Sequence, residues 1–167
     1  HPAAMSKLMF DEDTRRQIHD EEEGDDGDFS DMLSEMRILL PGAQNALFAA
    51  SLCLLEAGDE VIVPEPMYLT YEACVRATGA HLVTVPVQRD RAFHLDCDAI
   101  AAAVTDQTRA IFFATPCNPT GVVVPAADLQ RIADIAIEHD LWVLSDEVYA
   151  DLTFEPQHVS LASLPGM

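Results

Sequence analysis

The stretch from residue 41 to residue 167 predicts an α/β protein of three layers, a mostly parallel sheet with helices on both faces. Short β-branched apolar runs alternate there with Ala- and Leu-rich stretches of helical character. The helical stretches close on glycine or open on an acidic cap, and prolines punctuate the strand exits. Strand and helix succeed one another singly, the order that right-handed crossovers between parallel strands require.

Taken in order, "AQNALFAASLCLLEAG" (43–58) reads as a buried helix with Gly58 as its C-terminal cap. "DEVIVPEP" (59–66) is a strand ended by two prolines. "YLTYEACVRATGA" (68–80) is a helix closed by Gly79, and "HLVTVPV" (81–87) a second strand. "LDCDAIAAAV" (95–104) is a helix capped by Asp96 or Asp98, followed by the strand "RAIFFAT" (109–115). "AADLQRIADIAIEHD" (126–140) is the fourth helix and "LWVLSDE" (141–147) the fourth strand.

The leader differs in composition. Residues 1–40 carry 12 acids against 4 bases, and "DEEEGDDGD" (20–28) repels itself and buries nothing, so it reads as a disordered, solvated run. A calcium loop is disfavoured there, because the alternating ligands and closing Glu of that motif are missing. "DFSDMLSEMRILL" (28–40) places Phe29, Met32, Leu33, Met36 and Leu40 on one helical stripe. His1–Ala4, ahead of Met5, read as a remnant outside the fold.

A formal charge of −20 argues against nucleic acid or an anionic membrane as partner, since both require a basic face. The apolar runs are too short to span a bilayer, and a cytoplasmic protein is expected. Cys53, Cys74, Cys97 and Cys117 lack paired or metal-ligand spacing and read as buried reduced thiols, with no metal expected.

Ligands of parallel sheets bind at the carboxyl ends of the strands. "PGAQ" (41–44), "PEPMY" (64–68), "CNPTG" (117–121) and "SDEVY" (145–149) lie at those exits or at the turns feeding them. Singly, each has a plain reading as turn, surface aromatic or helix cap. Jointly they offer what one ligand needs: helix N-terminal amides for a phosphate, an aromatic plate, an amide, and a carboxylate beside a phenol.

"GAQNAL", "PEPMYLTY", "TPCNPTG" and "LSDEVYADLTF", in this order and spacing, resemble the class I/II aminotransferases, pyridoxal phosphate enzymes of fold type I. The resemblance covers about residues 41–167, the middle of the family's large domain. It implies that the backbone amides of Ala43 and Gln44 hold the cofactor phosphate and that Tyr68 stacks on the pyridine ring. Asn118 and Tyr149 would hydrogen-bond the ring's phenolic oxygen, with Asn118 also near the substrate carboxylate, and Asp146 would pair with the ring nitrogen. By the same resemblance the Glu65–Pro66 and Asn118–Pro119 bonds are expected to be cis.

The implied activity is transfer of an amino group between an amino acid and a 2-oxo acid. The implied assembly is a homodimer. The family's Schiff-base lysine matches no position here, since Lys7 is the single lysine, so no catalytic residue is assigned and the chain alone is expected to be inactive. The family's C-terminal small domain has no counterpart either. "DFSDMLSEMRILLPGAQ" weakly resembles the leader of a group of uncharacterised bacterial membrane proteins, which suggests a chimeric or truncated chain joined near "LLPGAQ". A carbon–sulfur lyase or other eliminating enzyme on the same fold, and a non-catalytic interaction protein with an acidic leader, stay open as alternatives.

Overall fold

The computed structural model describes residues 42–167. Expectations for the acidic block at 20–28 and the amphipathic stretch at 28–40 lie outside the described residues. Residues 42–54 are helical and are called helix α1. Strand β1 (Glu60–Glu65), helix α2 (Thr70–Arg76) and strand β2 (His81–Pro86) follow. Helix α3 (Cys97–Ala102), strand β3 (Thr108–Ala114), helix α4 (Ala126–His139) and strand β4 (Trp142–Asp146) complete the series.

The four strands form one sheet in the order β2-β1-β3-β4, and every pairing is parallel. Residues of opposite parity enter opposite layers, as a pleat of period two demands. Val61, Val63, Ala110, Phe112 and Leu144 face one cluster, against which Leu47, Ala50 and Leu54 of α1 and Tyr71 and Val75 of α2 pack. Ile62, Ile111 and Phe113 face the other, with Ile100 of α3 and Leu129, Ile132 and Ile135 of α4. Strands buried on both faces explain why "VIV" and "AIFF" read as unbroken apolar runs rather than alternating ones. Each fully buried aliphatic or aromatic side chain contributes roughly 1.5–3 kcal/mol relative to exposure.

The expected cap of α3 resolves to Asp96, whose carboxylate accepts the Ala99 N–H at 3.0 Å. Three expectations are corrected. Pro64 lies inside β1 rather than ending it, and it is tolerated because pairing with β3 stops at Ile62. Helix α1 stops at residue 54, short of Gly58, which instead takes φ 96° in the turn into β1 and donates its N–H to Gly79 O. Among the free cysteines only Cys74 is buried, Cys97 and Cys117 are half-buried, and Cys53 on the outer side of α1 is exposed.

Chain order β1, β2, then back past β1 to β3 makes a switch between β1 and β3. The connections diverge there and leave a crevice at the carboxyl ends of the strands.

Candidate functional site

That crevice is where the motif residues meet. Ala43, Gln44, Tyr68, Asn118, Asp146 and Tyr149, spread over more than a hundred positions, line one shallow cleft together with Leu47, Thr70, Tyr71 and Val148. Ala43 and Gln44 come from the described part of α1, at its end nearest Asn118 and Asp146 in the cleft lining. Tyr68 follows β1, Asn118 follows β3, and Asp146 closes β4 with Tyr149 one turn beyond.

The loop carrying Asn118 is tied at several points. Thr115, fully buried, accepts the Val124 N–H on its hydroxyl at 3.0 Å, and its own N–H is donated to Asp146 O at 2.9 Å. Within the loop, Cys117 N–H reaches Val122 O at 2.9 Å and Gly121 N–H reaches Cys117 O at 2.7 Å. Gly121 has φ 72°, which a side chain would strain. The Glu65–Pro66 and Asn118–Pro119 bonds are both cis, as are Thr115–Pro116 and Glu155–Pro156.

Asp146 is held on both oxygens. Oδ1 accepts the Val148 N–H at 3.1 Å, and Oδ2 accepts the Tyr71 hydroxyl at 2.7 Å. Burial, and then the bond to Asp146, push the Tyr71 phenol far above its ordinary range, so it stays a donor. Asn118 Nδ2 donates to the Tyr149 hydroxyl oxygen at 3.4 Å. Tyr149 keeps its own O–H free to donate, and Asn118 keeps a second N–H, so the pair can converge on one oxygen placed between them. Tyr68 stands edge-on to Tyr71, with centroids 5.9 Å apart.

Glu147 points away from this cleft. Burial raises its carboxyl, but donors from His158, Ser160, Ser145 and the Leu161 amide outweigh that and hold it below the usual range. The two neighbours in "SDE" thus divide the work: Asp146 serves the cleft, while Glu147 ties the segment around His158 and Leu161 to the end of β4. A second cleft adjoins the first and shares Tyr71 and Asn118, but its lining is almost wholly apolar, from Val63 and Pro66 to Phe93 and Val124.

Tyr71 was not singled out by the sequence, although it closes the quoted stretch "PEPMYLTY". Its only signal is its place three residues after Tyr68, which puts both on one side of a helical start. Among the described residues, no helix is long and apolar enough to cross a membrane, and no cluster of His, Cys, Asp or Glu could hold a metal.

A parallel α/β sheet with the Asp146 carboxylate, the Asn118 amide and three phenols gathered at its switch point defines a class, and the comparisons agree with it. The profile of the aminotransferase class I and II family matches residues 34–165, and the chain belongs to that family. The match starts ahead of Pro41, within the segment that composition assigns to the leader. Arginine–pyruvate transaminase AruH of Pseudomonas aeruginosa is 49% identical over 134 residues, 80% of this chain and 34% of that protein. Probable N-succinyldiaminopimelate aminotransferase DapC of Mycobacterium tuberculosis is 48% identical over 75% of this chain and 32% of its own length. The solved structure of the Mycobacterium tuberculosis N-succinyldiaminopimelate aminotransferase superposes with a TM-score of 0.73 at 47% identity, over 75% of this chain and 33% of that one. Thermus thermophilus aspartate aminotransferase with maleate gives a TM-score of 0.71 at 37% identity, over 72% and 31%. The chain therefore spans about a third of the length of the relatives it matches.

Proposed function

We propose that residues 42–167 form the pyridoxal phosphate-binding wall of an amino acid aminotransferase. The observation that carries this reading is the convergence of Ala43, Gln44, Tyr68, Asn118, Asp146 and Tyr149 on one cleft. The donor set fits the cofactor's parts. A carboxylate has about four acceptor positions, and the Asp146 carboxylate spends two on Tyr71 and Val148, which leaves room for a ring N–H. The Asn118 and Tyr149 pair suits a phenolic oxygen, and the α1 amides suit a phosphate.

When bound, pyridoxal phosphate supplies an electron sink that stabilises the carbanion formed as an amino acid loses its Cα proton. In this reading Asp146 holds the proton on the ring nitrogen, because an anion beside the base favours its charged form. Asn118 and Tyr149 fix the ring's rotation by donating to its oxygen. Tyr68 covers one ring face and excludes water from it. Ala43 and Gln44 anchor the phosphate and so set the depth at which the ring sits.

The relatives, named as transaminases, favour amino transfer between an amino acid and a 2-oxo acid over elimination. We extend the reading to a cytoplasmic homodimer; the charge of −20 supports only its lacking nucleic acid or anionic membrane partners. Exposed Phe48 and Leu52 on α1 are candidates for the dimer face. The 167-residue chain, with Lys7 as its single lysine, is expected to show no transaminase turnover.

The test is a titration of pyridoxal phosphate into the chain, followed by absorbance, beside Asp146→Asn and Tyr68→Ala. Saturable binding weakened in both variants is the expected result. Absence of binding, or binding indifferent to both substitutions, would overturn the reading.

A further inference from the structure

We infer that Tyr71 is a positioning residue for Asp146: its hydroxyl locks the carboxylate in the orientation that meets a pyridine nitrogen, so Asp146 works as a ring partner only while Tyr71 holds it. The inference rests on the cofactor reading of the cleft.

The geometry is specific. The hydroxyl meets Oδ2 at 2.7 Å, a distance typical of a charge-assisted bond. The Val148 amide takes Oδ1 from the other side at 3.1 Å, so rotation of the carboxylate about its last bond is blocked at both ends. Tyr71 is itself immobilised. It is only 2% exposed, and its ring stacks on Phe112 in the middle of β3, with centroids 4.2 Å apart and planes inclined by 26°. One end of the residue is therefore core and the other end cleft. A core role alone would be filled equally well by Phe, whereas the hydroxyl finds its partner in a group 75 positions away in sequence, on another element. The phenol cannot relay a proton under ordinary conditions, because burial and the adjacent carboxylate keep it protonated. Its contribution is orientation.

Tyr71→Phe keeps the ring on Phe112 and removes only the donor. The probe is pyridoxamine phosphate labelled with 15N in the ring, which carries an amine where pyridoxal phosphate carries an aldehyde and so needs no lysine to be held. Its affinity for the full chain should fall about tenfold in the variant, the scale of one charge-assisted hydrogen bond. The ring-nitrogen signal of the bound probe should move toward its unprotonated position. Both effects should vanish in an Asp146→Asn background, where no carboxylate remains to be oriented.

Without any probe, the Tyr71 hydroxyl proton should give a slowly exchanging NMR resonance that Asp146→Asn removes. An unmoved nitrogen signal, or the same change with Asn at position 146, overturns the assignment and leaves Tyr71 as core. A shift toward the protonated position also overturns it, since the hydroxyl would then act by withdrawing charge. Failure of the wild-type chain to bind the probe sinks the cofactor reading instead, while the hydroxyl resonance still decides whether Tyr71 restrains Asp146.

Discussion

Asp146 and Glu147 are adjacent carboxylates with opposite assignments, and substitution should separate them. Asp146→Asn removes a charged acceptor, so affinity for pyridoxal phosphate should fall by one to two powers of ten, as expected for loss of about 1.5–3 kcal/mol; equilibrium dialysis measures it. Glu147→Gln should leave that affinity alone and act on stability. The folded-state value of Glu147 lies below the unfolded value of about 4.3, so its stabilisation is full at neutral pH and disappears as pH falls through the folded value. Urea unfolding of the variant and the wild type should differ by about 1 kcal/mol at pH 7 and converge in strong acid. Strand exits in a parallel sheet are few, and that rule pointed to the four stretches; the six individual residues lining the cleft were legible only through the family resemblance those stretches carry. Tyr71 was not. A tyrosine on a short Ala, Cys and Val helix reads as core, and it is core; only the packing of α2 over β3 aims its hydroxyl at the end of β4.

The elements were largely readable because their periods agree with their surroundings, whereas their ends depended on tertiary bonds that no local pattern encodes. Gly79 illustrates this. Its φ is 86° and a Cβ there would lie 2.9 Å from the Ala57 Cβ, so the α2 to β2 turn and the α1 to β1 turn touch. Gly79→Ala should destabilise by about 1 kcal/mol or more, readable as a lower midpoint of thermal unfolding. Thr115→Val leaves the buried Val124 N–H without an acceptor and should cost about 1–3 kcal/mol while loosening the Asn118 loop. The thiols were misjudged for a related reason, since the outward side of an Ala-rich helix looks like its inward side. Cys53 should alkylate first in the native protein. Cys97, pushed up to about 11 chiefly by burial with Asp128 adding to it, should stay unreactive at pH 8, as peptide mapping after iodoacetamide would show.

At the scale of the whole molecule, the described residues are a four-stranded sheet whose outer strands β2 and β4 each pair on one side only. Trp142 on β4 and Phe48 and Leu52 on α1 are exposed, a surface suited to further chain or to a second copy. Sedimentation should therefore show concentration-dependent self-association. The central claim is that this partial domain already holds the cofactor's place. A crystal structure of the chain with pyridoxamine phosphate tests it most directly. The expected result has the ring nitrogen at hydrogen-bond distance from Asp146, the ring against Tyr68, its oxygen between Asn118 and Tyr149, and the phosphate on the amides of Ala43 and Gln44. A ring seated in the neighbouring apolar cleft, or a phosphate bound away from α1 with Asp146 untouched, would contradict the account.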